Sequence, residues 1–159
     1  MAAALGETNS AVNLCVKTFQ SAGVECASET SLESVLWKKL CWNIPFNGLA
    51  VAAGGLTTDK ILADPILKTR AEKLMHEVRE AARLCGVPFS EEHMLKQFAV
   101  TAGMGAYRPS SLIDYQSGRD VEVDTIWSIP LQRGTAAGAK MPELAQLIRE
   151  IKLRLSERK

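Results

Sequence analysis

The chain has 159 residues, of which 47% are hydrophobic, so it is long enough to form one domain with a full hydrophobic core. Its 19 basic and 18 acidic residues nearly cancel and are spread along the sequence, which argues against nucleic acid and an anionic membrane as partners. No apolar stretch is long enough for a membrane span, and MAAAL at the N-terminus lacks the features of a secretory signal, so we expect a cytoplasmic protein.

The chain begins with one helix and a short extended segment. Residues 10–22 carry apolar side chains at helical spacing, and Gly23 ends this pattern. Residues 24–26 (VEC) are a candidate strand. Elsewhere strand-like alternation is scarce, and nearly every later segment has a helical period.

A second helix carries the segment LWKKLCWNIPFN, residues 36–47. Thr30 and Glu33 form a capping box that predicts its start. Leu36, Leu40 and Ile44 recur every four residues, as on a buried stripe. Three polar side chains keep the same spacing beside them: Lys39, Asn43 and Asn47. Steps of four residues keep side chains on one helix face, so these three can line one groove.

Five further helix starts are predicted from capping and proline signals, at Asp64 with Pro65, Ser90, Pro109 with Ser110, Asp120, and Pro142. The helix that begins at Asp120 is expected to be interrupted at Pro130 and Gly134. Residues 30–159 contain no repeat or linker. The predicted fold is therefore an all-α bundle of six or seven helices.

Common motifs for metals and nucleotides are missing from the sequence. It contains neither GxGxxG nor the P-loop pattern, and His76 and His93 lack HExxH spacing. The cysteines are far apart and form no CxxC pair: Cys15, Cys26, Cys41 and Cys85. We expect free thiols and no metal site.

Two interpretations of the polar residues remain open when only their chemistry is considered. In the first, Lys39 extends from the edge of the core and the asparagines cap neighbouring helices. In the second, these residues and a later polar pair, Ser110 and Glu122, line a binding groove. Ser110 opens a short helix after Pro109, and Glu122 suits the first turn of the next helix. Each residue taken singly is consistent with a structural role.

Two separated motifs together resemble one known family. WKKLCWNIPFNGL and, some sixty residues later, RPSSLIDYQSGRDVEVD are similar to the C-terminal domain of ketopantoate reductase (2-dehydropantoate 2-reductase). The resemblance covers residues 30–159 and implies a helical domain like the C-terminal domain of 6-phosphogluconate dehydrogenase. It also implies the reduction of ketopantoate to pantoate with NADPH, on the route to pantothenate and coenzyme A.

The resemblance assigns a role to each of five residues. Lys39 matches the lysine that acts as general acid toward the keto oxygen of the substrate. Asn43 and Asn47 match asparagines that hydrogen-bond substrate oxygens. Ser110 matches the serine that holds the substrate carboxylate. Glu122 matches the acid that faces the substrate hydroxyl and the lysine.

The resemblance also implies that half of an enzyme is absent. Family members begin with a Rossmann domain that binds NADPH. Residues 1–29 resemble the last strand, helix and strand of that domain, so we expect them to be its edge and the chain to be inactive alone. An unpaired strand edge favours a homodimer. Pro45 and Tyr107 depart from the best-known members, so a different small 2-keto acid is another candidate substrate. The alternative function is a catalytically silent helical dimerisation or interaction module.

Overall fold

The computed structural model of the protein describes residues 10–28 and 31–158. These residues form eight α-helices and one short π-helix, which we call the π-turn, and they include no strand. In chain order the elements are α1 (Ser10–Ser21), α2 (Leu32–Ala52), α3 (Thr58–Ala63), α4 (Pro65–Leu84), α5 (Glu91–Gly103), α6 (Ser110–Gln116), the π-turn (Asp124–Ser128), α7 (Ile129–Ala136) and α8 (Pro142–Ser156). The predicted all-α fold is confirmed.

The predicted strand-helix-strand segment is reduced to its helix. Helix α1 forms as expected, but residues 24–28 are irregular, so the predicted strand at residues 24–26 is wrong. A strand is stable when a neighbouring strand accepts and donates its backbone hydrogen bonds, and the described part of the chain offers none. The carbonyl of Cys26 instead accepts a hydrogen bond from Gln20 Nε2 at 2.9 Å. The other strand that the resemblance implies, LGETNS at residues 5–10, lies outside the described residues except for Ser10, which begins α1.

Helix α2 is the centre of the bundle. It packs against α4, α6 and α8, and every residue from 44 to 51 is buried. Its first half is amphipathic, but the buried side differs from the expected one. Ser34, Trp37 and Cys41 point inward, whereas Leu36 is 44% exposed. The stripe that contains Leu36 and Leu40 faces a cavity.

Local capping signals place most helix ends. Asp64 accepts hydrogen bonds from the amides of Ile66 and Leu67 and so begins α4, as predicted. Ser90 caps α5 in the same way. Helix α2 begins one residue later than predicted, because Ser31 is its N-cap and accepts a hydrogen bond from the amide of Ser34. Thr30 lies outside the described residues.

The segment after residue 116 differs most from its prediction. No helix starts at Asp120; the chain is irregular there, and regular structure resumes in the π-turn, where the amide of Ile129 bonds to the carbonyl of Asp124. Pro130 does not interrupt α7, because it lies in the first turn, where an amide proton is not needed. Gly134 is also accommodated, since it packs closely against Met141 and Ala81.

The cysteines differ in burial, and this leads to a test. All four are free, but Cys41 alone is buried. Burial raises the pKa of its thiol to about 12. At pH 8 we expect iodoacetamide to modify Cys15, Cys26 and Cys85 in the folded protein and to leave Cys41 intact until the chain unfolds, because the thiolate is the nucleophile. Mass spectrometry of peptides from native and denatured samples measures this directly.

The same thiol affects stability at alkaline pH. Its ordinary pKa is 9.0, so above that pH the unfolded chain loses this proton before the folded chain does. The free energy of unfolding therefore falls as pH rises, by at most about 1.4 kcal/mol per pH unit from this group. In Cys41→Ala the free energy of unfolding should fall less steeply over roughly one pH unit above the ordinary thiol pKa than it does in the unaltered chain. An unchanged slope would contradict this assignment.

Candidate active site

One cavity of about 440 Å³ lies between α2 and the segment formed by the π-turn and α7. Its lining includes all five residues that the sequence selected: Lys39, Asn43, Asn47, Ser110 and Glu122. Residues more than sixty positions apart in the chain therefore meet around one space. The cavity is open to solvent along one side, where Leu36 and Ile129 are partly exposed.

The two main walls of the cavity are α2 and the segment of the π-turn and α7, and these two segments are antiparallel. Trp127 Nε1 donates a hydrogen bond to the carbonyl of Ile44 at 3.0 Å, which joins the π-turn to the middle of α2. The Arg133 guanidinium lies 5.8 Å from the ring centroid of Trp37, nearer the start of α2. Asn47 and Glu122 consequently lie toward one end of the cavity, and the opposite end is formed by Arg133 and the first turns of α2.

Lys39, Asn43 and Glu122 present polar groups to the cavity. Lys39 and Glu122 are exposed, and Asn43 is half-buried. Within residues 10–28 and 31–158, their side chains have no hydrogen-bond or ion-pair partner. Because no described neighbour engages them, these groups are available to a ligand. Lys39 carries three donors and Asn43 carries both donors and an acceptor, so the pair is suited to binding oxygen atoms.

Asn47 has a different position. It is 2% exposed, and its Oδ1 accepts hydrogen bonds from the backbone amide of Ser111 at 3.0 Å and from Ser110 Oγ at 3.4 Å. The amide oxygen thus holds the start of α6 and the Ser110 hydroxyl in place. Only the Nδ2 hydrogens of Asn47 remain for a ligand. Asn47 therefore stabilises the fold as well as lining the cavity, whereas the sequence interpretations treated these as alternatives.

The two asparagines should respond differently to substitution. Asn47→Ala removes the acceptor for a buried backbone amide and is expected to lower the free energy of unfolding by about 1–3 kcal/mol. Asn43→Ala is expected to change it by less than about 0.5 kcal/mol, since its side chain has no described partner. Denaturant unfolding of both variants tests the difference. Equal losses would contradict the capping role of Asn47.

The cavity also contains residues that the sequence did not single out as ligands. Thr125, Ile129 and Arg133 line it. Arg133 forms an ion pair with Glu33. Thr125, Ile129 and Arg133 follow Glu122 at helical intervals of three and four residues, and this spacing could have indicated that they line the same cavity. The predicted interruption at Pro130 hid the pattern, because side chains beyond a helix break no longer lie on the same face as those before it.

Neither a metal cluster nor a nucleotide-binding unit is found in the described part of the chain. No group of three or more His, Cys, Asp or Glu side chains there is placed to hold a metal ion. Since residues 10–28 and 31–158 include no strand, they do not form the strand–turn–helix unit that binds a dinucleotide pyrophosphate. None of the described helices is sufficiently long and apolar to cross a membrane.

Comparison with known families identifies the helical domain that contains this cavity. Residues 31–154 match the family described as "Ketopantoate reductase PanE/ApbA C terminal". The chain belongs to the ketopantoate reductase family. The match covers α2 and nearly all of the helices that follow it, so both walls of the cavity belong to the ketopantoate reductase C-terminal domain.

Individual ketopantoate reductases support the same assignment. The chain is 35% identical to a 2-dehydropantoate 2-reductase of Nostoc sp. over 134 residues, which are 84% of this chain and 42% of that protein. The crystal structure of the Geobacter metallireducens enzyme has a TM-score of 0.84 and 30% identity, covering 94% of this chain and 50% of that one. The Methylococcus capsulatus enzyme has a TM-score of 0.83 and 29% identity, covering 96% and 48%. The chain thus spans about half the length of these relatives.

Proposed function

We propose that this chain is the substrate-binding and proton-donating half of an NADPH-dependent ketopantoate reductase. The complete enzyme would reduce ketopantoate, or a related 2-keto acid, to the 2-hydroxy acid used for pantothenate and coenzyme A. The observation that carries the proposal is the meeting of Lys39, Asn43, Asn47, Ser110 and Glu122 in one cavity. Residues 1–29 would then be the edge of the nucleotide-binding domain, and residues 30–159 the catalytic helical domain.

Each side chain has a distinct task in this reaction. On substrate binding the Ser110 hydroxyl turns away from Asn47 Oδ1, which keeps its hydrogen bond from the amide of Ser111, and donates to the substrate carboxylate beside Asn47 Nδ2. Asn43 holds the keto oxygen, and the Lys39 ammonium donates a proton to it as carbon 2 is reduced. Glu122 accepts a hydrogen bond from the new hydroxyl and balances the charge of the lysine. NADPH would supply the hydride from a second domain, because residues 10–28 and 31–158 include no strand and so do not form the strand–turn–helix unit that binds a dinucleotide.

Reconstitution tests the proposal. The purified chain is mixed with ketopantoate and NADPH, with and without a separately expressed nucleotide-binding domain of the Nostoc relative, and NADPH absorbance is followed. Turnover is expected only when both proteins are present. Titration of the chain alone with ketopantoate, followed by NMR, should shift resonances of residues that line the cavity. No turnover together with no binding would overturn the proposal.

A second candidate function is a helical module for dimerisation or other protein interaction. Helix α1 favours it, since none of its residues is buried and Leu14 and Phe19 are 67% and 43% exposed. An unburied apolar face of this kind is typical of an interaction surface. Sedimentation equilibrium and the keto acid titration together distinguish the enzyme half from the interaction module. A dimer that dissociates when Phe19→Glu is introduced, in a chain that binds no keto acid, would favour the module.

A further inference from the structure

The end of helix α8 lies beside the segment that carries Glu122. Arg158, two residues beyond the last residue of α8, donates hydrogen bonds from Nη1 to the carbonyl of Tyr115 at 2.8 Å and from Nη2 to the carbonyl of Arg119 at 3.0 Å. Its guanidinium also lies 5.6 Å from the centroid of the Tyr115 ring. A guanidinium suits such a bridge, because its donors are fixed relative to one another. Arg158 therefore connects the end of α6 with the irregular segment that follows it.

The direction of the Glu122 side chain is set by its neighbours in the chain. Val121 and Val123 pack against the hydrophobic core, and the amide of Val123 donates a hydrogen bond to the carbonyl of Val121 at 2.7 Å. This tight turn leaves Glu122 exposed at the wall of the cavity. The turn alone does not fix the distance from the carboxylate to Lys39, because that distance depends on how the whole segment is attached to the surrounding helices.

The segment is attached at Arg119 to two different helices. The Arg119 amide donates a hydrogen bond to the carbonyl of Asp114 at 2.9 Å, and Arg119 Nε donates one to the Asp114 carboxylate at 2.9 Å. Both bonds join the segment to α6, the helix that it follows. Arg158 joins it to α8 instead, and α8 packs against α2, which carries Lys39. The hydrogen bond from Arg158 therefore relates the position of Glu122 to that of Lys39.

Resting on the proposed function, we infer that Arg158 is a positioning residue for Glu122. It holds the backbone three residues before the carboxylate and so keeps the acid at the distance from the lysine that the reaction needs. Arg158 lies beyond residues 31–154, so the family match includes its partners but not the arginine itself. A misplacement of about 1 Å can lower a rate by about 100-fold. We expect a smaller loss here, because Asp114 still holds Arg119 when Arg158 is removed.

Hydrogen exchange of the full chain tests the physical connection without a ligand. Arg158→Ala should speed exchange of the Val123 amide about fivefold, the factor that corresponds to the loss of one hydrogen bond of ordinary strength. Arg149→Ala is the matched control. It removes a guanidinium from an exposed position on α8, where Arg149 bonds to Gln146 three residues earlier. Equal exchange rates in the two variants would overturn the inference.

Kinetics of the reconstituted enzyme test whether the connection matters for the reaction. Arg158→Ala should lower kcat about tenfold. It should change KM for the keto acid less than about twofold, because Asn47 still holds the start of α6, where Ser110 lies. Arg158→Lys should lower kcat only about threefold, since an ammonium can replace one of the two hydrogen bonds. Arg149→Ala should have the kcat of the unaltered enzyme.

A double-mutant cycle shows whether Arg158 acts through Glu122. In a chain that already carries Glu122→Gln, Arg158→Ala should change kcat less than about twofold, because no carboxylate remains to be positioned. An undiminished loss in that background would mean that Arg158 supports the fold in general, and would overturn the inference while leaving the proposed function in place. An unaltered chain that binds no keto acid and gives no turnover would overturn the proposed function itself.

Discussion

Lys39→Ala is expected to lower kcat for ketopantoate reduction at least about 100-fold in the reconstituted enzyme, because the keto oxygen loses the proton donor that we propose for it. Lys39→Arg should be nearly as slow, since guanidinium keeps the charge but does not release a proton near neutral pH. The thermal midpoint of either variant should stay close to that of the unaltered chain, because Lys39 is exposed and has no described partner. Steady-state kinetics and thermal unfolding together make the test.

Lys38 provides a matched control for this substitution. It precedes Lys39 on α2 but lies in a separate surface depression with Phe89 and His93. Lys38→Ala removes the same charge from the same helix turn, and we expect it to retain most of the activity. Equal losses in the two variants would mean that the positive charge of the helix turn, rather than a proton donor in the cavity, supports the reaction.

Gly48→Ala is expected to lower the free energy of unfolding by about 1–3 kcal/mol, as overpacking of a core usually does. A Cβ at this position would lie 2.5 Å from Leu147 Cδ2 and 2.9 Å from Trp127 Nε1. The indole would have to move, and its hydrogen bond to the carbonyl of Ile44 would weaken. For a chain of this size the thermal midpoint should fall by roughly 2–4 °C per kcal/mol.

Gly103 is the matched control. It lies at the end of α5, and a Cβ there would meet nothing within 4 Å. Gly103→Ala should raise the free energy of unfolding by up to about 1 kcal/mol, because alanine loses less backbone entropy in a helix. The two variants make the same chemical change, but we expect the free energy of unfolding to fall in Gly48→Ala and to rise in Gly103→Ala. Destabilisation by both, to a similar extent, would contradict the packing explanation for Gly48.

Gly48 also connects stability with the candidate active site. The absence of a side chain at this position lets Trp127 approach α2, and Trp127 belongs to the π-turn that precedes α7. Single-turn π segments often occur at functional sites. We therefore expect Gly48→Ala to lower the activity of the reconstituted enzyme as well. Displacing Trp127 would move the π-turn, which contains Thr125 and closely follows Glu122.

Features that depend on neighbours within about four residues could be predicted from the sequence. The helical periodicity, the cap at Asp64 and the cap at Ser90 all belong to this class, since each is set by backbone hydrogen bonds close in the chain. The five candidate site residues came from a family motif rather than from periodicity. Their spacing on α2 was enough to place Lys39, Asn43 and Asn47 on one face.

Features that depend on distant helices required the folded chain. Leu36 belongs to a regular apolar stripe, yet it faces a cavity, because α7 and the π-turn approach that side of α2 without covering it. Asn47 is committed to the amide of Ser111, which is 64 positions away. The candidate strand at residues 24–26 found no partner among the described residues. Burial and strand pairing depend on surfaces that come together during folding, so a local pattern can indicate an element but not what will cover it.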